Sequence, residues 1–349
     1  MAASLIYGAT GYTGQLIVAR CLERGLVPVL AGRSEAVREF AHAHRLEARV
    51  VGLDDPAALR TALAGVAAVL HCAGPFSRTS APMADACIAT GAHYLDITGE
   101  LSVFEALAAR HEEARSHGVM LLPGTGFDVV PSDCLAAHLK GRLPTAARLL
   151  LAFQSSGGLS RGTATTMVEN VSRGGAVRRG GRIVPVPPGW RTITVDLGRG
   201  PVSVTSIPWG DVATAWYSTG IPDIEVYTRM TPGMRGALKA SRYLGWLLRS
   251  GPVQRWLKAR IRRGAPGPDE TARARGVALL YGEVSDAEGR RARARLRGPE
   301  GYTMTARTAV AALEETLAGR ATPGFRTPSL AFGADFVLGI DGVTREDVD

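Results

Sequence analysis

The stretch IYGATGYTG, residues 6–14, places three glycines directly after the first apolar residues of the chain. The run SLIY (4–7) that overlaps its start is short and apolar, as expected for a buried parallel strand. The segment QLIVARCLERG (15–25) behind it carries apolar residues at helical spacing and ends in glycine. A strand, a glycine-rich turn and a helix in this order predict a dinucleotide-binding site.

The glycine spacing is GxxGxxG rather than the standard GxGxxG. In such a turn Gly8 allows the tight bend, Gly11 lets the backbone approach a pyrophosphate, and Gly14 lets helix and strand pack closely. The start of the helix adds N–H groups and a partial positive charge for the phosphates. Three further residues of the turn offer hydroxyl or backbone donors: Thr10, Tyr12 and Thr13.

The second predicted strand, within LVPVLAGRS (26–34), ends in residues that indicate the coenzyme. An NAD site would place Asp or Glu there to bind the ribose 2′-hydroxyl. Arg33 and Ser34 stand there instead, which favours a 2′-phosphate and therefore NADP(H). A charged hydrogen bond of this kind contributes roughly 1.5–3 kcal/mol, enough to separate the two coenzymes. The neighbouring Glu35 is expected to point into the following helix.

Strands and helices continue to alternate up to about residue 145. The further predicted elements are strands at 48–53, 67–74, 93–100 and 119–124, and helices at 56–65, 82–91 and 102–118. Six strands joined by right-handed crossovers form a doubly wound parallel sheet, a Rossmann-type α/β domain. Ligands of such sheets bind beyond the carboxyl ends of the strands. Asp54 follows the third strand and is therefore included among the predicted coenzyme-binding residues.

The regular alternation of predicted strands and helices ends at about residue 145. The strand-like runs that follow are 147–153, 191–197, 200–208, 221–230, 274–286 and 290–299. They predict a second, α+β domain with a mixed or antiparallel sheet. Residues 302–319 return to a helical pattern, and this C-terminal helix is expected to pack back onto the first domain. The predicted domains are 1–140 with 303–349 for the coenzyme, and 141–302 for substrate and dimerisation.

Composition and charge restrict the class of protein. The chain has 349 residues, 46% hydrophobic and 21% charged, which is typical of globular proteins. It has no apolar run near 18 residues and no signal-peptide pattern, so we expect a cytoplasmic protein. The four cysteines form no CxxC pair, which predicts reduced thiols and no metal site. The net charge of +9 comes without an aromatic-interleaved basic stripe, so we expect no nucleic-acid partner.

Several motifs together resemble the saccharopine dehydrogenase-like oxidoreductases, and most closely their trans-acting enoyl reductase branch. The motifs are GATGYTG (8–14), AGRS (31–34), CAGPFSRTSAPMADACIATGAHYLDITGE (72–100), PGTGFDVVPSD (123–133), APGPDETARARG (265–276) and GPEGYTMTA (298–306). The resemblance implies a Rossmann domain and an α/β domain that shapes the substrate pocket and often the dimer. It also implies hydride transfer with NADP(H), the glycine-rich turn on the pyrophosphate and Arg33 with Ser34 on the 2′-phosphate. The residues it places beside the nicotinamide are Ala73, Gly74, Pro75 and Phe76.

Hydride transfer often needs a proton donor as well. The carboxyl ends of the fifth and sixth strands offer two candidate catalytic residues, Asp96 and Asp128. The alternative is that the carboxylates of this region, such as Asp96, Glu100 and Asp133, cap helices or tie loops together. The sequence leaves both interpretations open.

The second domain contributes candidate substrate contacts. The segment SSGGLSRGTATTMVEN (155–170) is rich in small residues, and its Ser160, Arg161 and Thr163 are predicted to contact substrate or the nicotinamide amide. Tyr217 is predicted to line the same pocket. The alternative is an ordinary loop with a helix cap.

The basic stretch 236–264 is predicted to form two amphipathic helices that break at Gly251-Pro252. Leu238, Leu244, Trp246, Leu247 and Leu248 alternate there with Lys and Arg. Such a face suits an anionic membrane surface, an acidic carrier protein or a lid over an acyl pocket. The alternative is a solvated charged face on packed helices.

We predict an NADPH-dependent reductase that transfers a hydride to an enoyl-type substrate, carrier-bound or lipidic. One alternative is a saccharopine-type C–N oxidoreductase, which would need positive residues for amino-acid carboxylates, with Arg161, Arg173 and Arg191 as candidates. A third alternative is a membrane-associated protein that binds NADPH without turning it over.

Overall fold

The computed structural model describes residues 3–170, 174–248 and 250–348. Arg173, one of the candidate carboxylate-binding arginines, lies outside the described residues. The side chains of residues 244–249, and with them four of the apolar residues named for the basic stretch, also lie outside. The chain divides into two compact units, 1–130 with 302–341 and 131–301 with 342–349.

The division differs from the predicted boundaries by eight residues or more at two places and by one residue at 301/302. Helix α7 (Val130–Arg142) belongs to the second unit, because its Leu135 and Leu139 pack against Gly282 of strand β13 (Val277–Ser285). Residues 342–349 also belong to the second unit, since they contain a strand that pairs within its sheet.

The first unit is built on a seven-stranded parallel sheet. Its strands, in spatial order, are β15 (Gly324–Phe325), β6 (Met120–Leu122), β5 (His93–Asp96), β4 (Val66–His71), β1 (Ala3–Tyr7), β2 (Val29–Gly32) and β3 (Ala48–Val50). The strand order reverses beside β1, which pairs in parallel with β2 on one side and β4 on the other. Such a switch point is where doubly wound sheets bind ligands. The predicted Rossmann fold is confirmed, and the two-residue strand β15 was not predicted because it is too short to show a periodic pattern.

Helices of the first unit follow the strands in the expected alternation. They are α1 (Tyr12–Glu23), α2 (Ala36–Ala43), α3 (Pro56–Ala62), α4 (Phe76–Thr90), α5 (Leu101–Ala108), α6 (His111–Ser116), α13 (Gly301–Glu315) and α14 (Pro328–Phe332). Helix α4 begins six residues before the predicted start at Pro82, so Pro82 lies inside it. The predicted helix 102–118 is two helices, separated at residues 109–110.

The C-terminal helix α13 packs into the core of the first unit, as predicted. Its Ala309, Val310 and Leu313 are buried in one hydrophobic cluster with Ile6 of the first strand and Ile17 of the first helix. The apolar face of α13 thus completes the core of the coenzyme domain, although the whole second unit separates the two in sequence.

The second unit contains a nine-stranded mixed sheet, as predicted. The main order is β10 (Thr192–Asp196), β11 (Pro201–Ser206), β12 (Asp223–Arg229), β7 (Arg148–Ser155), β13, β14 (Arg291–Pro299) and β16 (Thr344–Val348), with the hairpin β8 (Gly175–Arg179) and β9 (Arg182–Val186) beside β12. Strands β12 and β7 pair in parallel, and the other pairs are antiparallel.

The remaining helices of the second unit are α8 (Arg161–Asn170), α9 (Asp211–Thr219), α10 (Pro232–Leu248), α11 (Gly251–Arg262) and α12 (Glu270–Arg275). The basic stretch forms two helices, as predicted, but Gly251 and Pro252 lie in the first turn of α11 rather than between the helices. Within the described ranges, no helix is both long and apolar enough to cross a lipid bilayer.

Candidate functional site

The glycine-rich turn after β1 is folded as tightly as its sequence predicts. Gly8 has φ +84°, a backbone conformation that favours glycine. Its N–H donates to the carbonyl of Ala31 at 2.8 Å, and the Gly11 N–H donates back to the carbonyl of Gly8 at 3.0 Å. A Cβ on residue 8 would lie 2.8 Å from the backbone N of Ala73, so a side chain there would push the β4 loop away.

Gly14 and Gly11 require glycine for different reasons. A Cβ on residue 14 would lie 2.3 Å from the Gly8 carbonyl oxygen, so only glycine lets α1 pack this closely on the turn. Gly11 precedes the helix in an extended conformation, and a Cβ there would meet only the Gly8 oxygen, at 3.3 Å. The exposed outer side of Gly11 is therefore open to a ligand.

The start of helix α1 suits an anion. Its first turn carries no acidic residue, and Gly11 supplies no side chain to cap it. Thr10, Tyr12 and Thr13 are each partly exposed around this helix start. Because the first N–H groups of a helix point along its axis and carry partial positive charge, a pyrophosphate is a fitting partner.

Arg33 and Ser34 follow β2 and are both exposed. Among the described residues Arg33 forms no salt bridge, so its guanidinium is available to a ligand. Glu35 instead pairs with Arg38 of helix α2 at 2.8 Å, which turns this carboxylate towards the helix as expected. The end of β2 therefore presents a cation and a hydroxyl, which fit a 2′-phosphate.

Asp54 lies on the same edge of the sheet as Arg33. Burial raises the pKa of Tyr7 at the end of β1, while the charge of Arg33 lowers it and that of Asp54 raises it. Both charged groups are therefore close to the end of β1, and the Tyr7 hydroxyl donates to the carbonyl of Val51 at 3.0 Å. Asp54 is exposed, in a position that can accept hydrogen bonds from a bound nucleotide.

The loop Ala73–Gly74–Pro75–Phe76 after β4 lies against the glycine-rich turn. A Cβ on residue 8 would be 2.9 Å from the Cβ of Ala73, and the Gly74–Pro75 peptide is cis. The Thr79 hydroxyl donates to the Ala73 carbonyl at 2.7 Å and holds this loop to α4. The four residues predicted beside the nicotinamide thus border the turn predicted for the pyrophosphate.

Glu100 fixes the start of helix α4. Its side chain is buried and accepts the N–H groups of Phe76 at 2.7 Å and Ser77 at 3.2 Å. A carboxylate at a helix N-terminus satisfies unpaired donors and interacts favourably with the helix dipole. This contact explains why α4 starts at Phe76, and it gives Glu100 the capping role considered from the sequence.

Asp96 is fully buried at the end of β5. Its carboxylate accepts from the Tyr94 hydroxyl at 2.6 Å and from the N–H groups of Thr98 and Gly124, each at 2.9 Å. Burial raises the pKa of Asp96 to about 6, although these hydrogen bonds lower it. These contacts tie the ends of β5 and β6 together and favour a structural role, so its catalytic role stays a prediction.

Asp128 lies in the loop after β6 and keeps part of its surface exposed. Its carboxyl group packs on the backbone of Gly99, where a Cβ would be 2.7 Å from Oδ2. Burial raises the pKa of Asp128 to about 7. A carboxyl group that is partly protonated at neutral pH can give or take a proton, the chemistry expected of a general acid.

Two residues of helix α13 that the sequence analysis did not select border this region. The Phe127 N–H donates to the Thr305 hydroxyl at 3.0 Å, next to Asp128. The ring of Tyr302 meets the ring of Tyr12 edge-on, with centroids 5.1 Å apart. Both residues lie in GPEGYTMTA (298–306), one of the motifs of the family resemblance. That motif is the feature of the sequence that could have identified them.

The candidate substrate residues lie in the second unit, and most are held by local contacts. The Ser160 hydroxyl accepts the N–H of Thr163 at 3.2 Å and caps α8. The Arg161 guanidinium donates to the carbonyl of Gly264 at 2.9 Å. Tyr217 is partly exposed on α9. Their predicted contacts with substrate stay predictions.

Arg191, the other described candidate for binding amino-acid carboxylates, is engaged in a cluster of its own. Its guanidinium lies 3.2 Å from the carboxylate of buried Glu225, which also pairs with Arg179 and accepts the Tyr227 hydroxyl. Arg191 is therefore paired within the unit, whereas Arg161 donates only to a neutral carbonyl group.

Cys21, Cys72, Cys87 and Cys134 are free thiols, and three of them are fully buried. The described part of the chain holds no group of three or more His, Cys, Asp and Glu side chains arranged to bind a metal ion.

Residues 4–122 match the family model of the saccharopine dehydrogenase NADP binding domain. The trans-acting enoyl reductase of Mycobacterium leprae is 33% identical over 148 residues, which cover 40% of this chain and 35% of that protein. The human saccharopine dehydrogenase-like oxidoreductase is 28% identical over 160 residues, which cover 40% of this chain and 37% of that protein. The chain spans well under two thirds of the length of these curated relatives.

The fold of the whole chain is shared with a solved structure. The apo saccharopine dehydrogenase (L-Glu forming) of Saccharomyces cerevisiae superposes with a TM-score of 0.68 at 12% identity, with 100% of each chain covered. This similarity confirms the predicted two-domain architecture. The family model supports the predicted coenzyme, NADP(H).

The geometry of the first unit fits the coenzyme of that family. The turn around Gly8 and Gly14 keeps side chains away from the helix start, and Arg33 offers an exposed cation at the end of β2. Residues 4–122 therefore match the saccharopine dehydrogenase NADP binding domain, and the geometry of this unit fits its coenzyme, NADP(H).

Proposed function

We propose that this chain is an NADPH-dependent reductase that saturates the C=C bond of an enoyl-type substrate. NADPH supplies the hydride when bound. The glycine-rich turn binds its pyrophosphate, Arg33 and Ser34 bind its 2′-phosphate, and the loop 73–76 orients its nicotinamide. Saturation of a C=C bond also takes up one proton, and Asp128 holds that proton on its carboxyl group.

The observation that carries the proposal is the placement of Asp128. Its carboxyl group lies at the carboxyl edge of the parallel sheet, against Gly99 of the β5 loop. With a pKa raised to about 7 by burial, a large fraction of Asp128 is protonated at neutral pH. A donor with a pKa near the working pH is both available and acidic enough to transfer its proton.

The engaged arginines favour an enoyl substrate over an amino-acid one. A saccharopine-type substrate carries several carboxylates, which need uncommitted cations. Arg191 pairs with Glu225 and Arg161 donates to the Gly264 carbonyl, so partners within the unit already orient both guanidinium groups. The name of the Mycobacterium leprae relative, a trans-acting enoyl reductase, supports the same choice.

The proposal is tested by offering the purified full chain two acceptors with NADPH. One is an enoyl thioester of coenzyme A, and the other is a 2-oxo acid with an amine, which supplies an imine. We expect NADPH oxidation only with the thioester, and one deuterium in the saturated product when the NADPH carries deuterium at C4. Turnover with the imine alone, or NADPH binding without turnover of either acceptor, would overturn the proposal.

A further inference from the structure

The segment between Glu225 and Asp269 carries ten Lys and Arg residues and no Asp or Glu. Most of these cations belong to helices α10 and α11 of the second unit. The coenzyme site described above lies in the first unit and does not use this segment. The positive charge of the segment therefore needs an explanation separate from catalysis.

Helix α11 has a basic outer face with a tryptophan at its centre. The Trp256 side chain is 62% exposed. Such exposure is unusual for so large a side chain with apolar character. Arg260 and Arg263 are exposed on the same side of the helix as Trp256, and Arg255, directly before it, is exposed on a neighbouring side. Since residues three and four apart share a helix face, Arg260 stands beside Trp256.

The inner face of α11 is held by the protein. Val253, Leu257 and Ile261, at helical spacing, are only partly exposed. The Gln254 side chain donates to the carbonyl of Val168 in α8 at 3.1 Å, and Arg161 binds the Gly264 carbonyl at the other end. The fixed inner face leaves Trp256 and its arginines directed outwards.

Helix α10 repeats the arrangement. Tyr243 is 81% exposed, and the exposed Lys239 stands one turn before it. Arg242 donates to the carbonyls of Pro188 at 2.9 Å and Gly189 at 3.1 Å, which anchors the helix to the loop between β9 and β10. Both helices thus combine an anchored side with an exposed aromatic residue next to a cation.

We propose that the basic face, defined as the outer sides of α10 and α11 around Tyr243 and Trp256, docks onto an anionic lipid bilayer. Trp and Tyr favour the boundary between headgroups and acyl chains, and Lys and Arg bind anionic headgroups. On these helices and on α8, the exposed large apolar and aromatic side chains that the structure describes are single residues on three helices: Met167 of α8, Met234 and Tyr243 of α10, and Trp256 of α11. A fluid bilayer accommodates such scattered insertions, whereas a protein partner requires a single complementary patch.

The test is flotation of the purified full chain with two kinds of vesicle. One is pure phosphatidylcholine, and the other contains about a third phosphatidylserine. We expect binding to the anionic vesicles at low salt, weaker binding in high salt and none to phosphatidylcholine. Each cation near the surface contributes roughly fivefold to partitioning, so Arg255→Ser with Arg260→Ser is expected to weaken binding at least tenfold. Trp256→Ala is expected to weaken the part of the vesicle binding that remains in high salt, because salt does not screen the insertion of an aromatic side chain.

The matched control removes two exposed arginines elsewhere, Arg60→Ser and Arg199→Ser, and keeps the same net charge as the test variant. It is expected to bind anionic vesicles as the unchanged protein does. Equal losses in both double variants would show a general charge effect and overturn the docking face. Absence of vesicle binding together with binding to an acidic carrier protein would overturn the lipid partner as well. NADPH turnover in solution is measured in parallel and is expected to be unchanged in all variants.

Discussion

The carboxyl group of Asp128 rests on the backbone of Gly99, where a Cβ atom would come within 2.7 Å of Oδ2 and 3.2 Å of Cγ. This contact joins the loop after β6 to the loop after β5 at the edge of the coenzyme domain. It also partly removes the carboxyl group from water, which raises the pKa of Asp128 to about 7. The proposed proton donor thus depends on a glycine in the neighbouring loop.

Asp128→Asn is expected to slow NADPH turnover by about 100-fold or more, because general acids contribute 10²–10⁴-fold, while NADPH affinity stays within about twofold. Turnover by the unchanged protein is expected to fall as the pH rises through 7, since the donor loses its proton, and the variant is expected to lack this fall. Asp85→Asn, at an exposed ion pair with Arg110, serves as the control. Turnover near normal in Asp128→Asn would leave Asp128 without a catalytic role.

Asp96→Asn tests whether the buried Asp96 is structural. All three groups that bind its carboxylate are donors, so an amide, with one acceptor oxygen, leaves at least one of them badly paired. We expect a loss of about 1–3 kcal/mol in the free energy of unfolding, measured by urea denaturation. NADPH turnover by the folded fraction is expected to persist. A stable variant with abolished turnover would instead make Asp96 catalytic.

Gly14→Ala is expected to weaken NADPH binding by at least tenfold and to lower the melting temperature. The new methyl group would lie 2.3 Å from the Gly8 carbonyl oxygen, so helix α1 must move off the turn. Gly141→Ala is the matched control, since that helical glycine has open space around its Cβ. There alanine is expected to stabilise the protein by up to about 1 kcal/mol. Tight NADPH binding by Gly14→Ala would contradict the role of close packing at this turn.

Arg33→Ala is expected to weaken NADPH binding by about 10- to 100-fold and NADH binding hardly at all, since only NADPH carries the 2′-phosphate. Fluorescence titration with both coenzymes measures the ratio. Arg38→Ala, one turn into α2, removes an arginine that is already paired with Glu35 and is expected to leave both affinities unchanged. Equal losses of affinity for the two coenzymes would show that Arg33 does not bind the 2′-phosphate.

His71→Phe is expected to keep or raise stability, by up to about 1 kcal/mol. The imidazole is fully buried at the end of β4, and the rings of Tyr7 and Phe76 lie within 5.5 Å. Within the part of the chain that the structure describes, its two nitrogens have no hydrogen-bond partner. Burial lowers the pKa of His71 to about 3, so between pH 6.5 and 3 the unfolded chain binds a proton that the folded one does not. Stability therefore falls on acidification through this window, and the variant is expected to lose that part of the fall. Marked destabilisation by phenylalanine would indicate a polar role for His71.

Local patterns in the sequence were sufficient for the fold of the first unit and for its coenzyme. The apolar runs and helical spacing predicted the alternating elements, and GATGYTG with Arg33 predicted an NADP(H) site. Both are short-range signals, since a turn, a helix start and a strand end are formed by consecutive residues. The same locality explains the misplaced start of α4, which is fixed by Glu100 from a distant part of the chain.

Only the tertiary structure determined which polar side chains contact each other. Asp96 and Asp128 looked equivalent as carboxylates after neighbouring strands, yet one is enclosed by three donors and the other is partly exposed on a glycine. Thr305 and Tyr302 reach the coenzyme domain only because α13 buries its apolar face there. Such contacts join residues far apart in sequence, so their geometry and their effects on pKa arise only when the core closes. The sequence by itself thus determined the coenzyme domain, and packing determined which of its acids is enclosed by donors and which stays partly exposed.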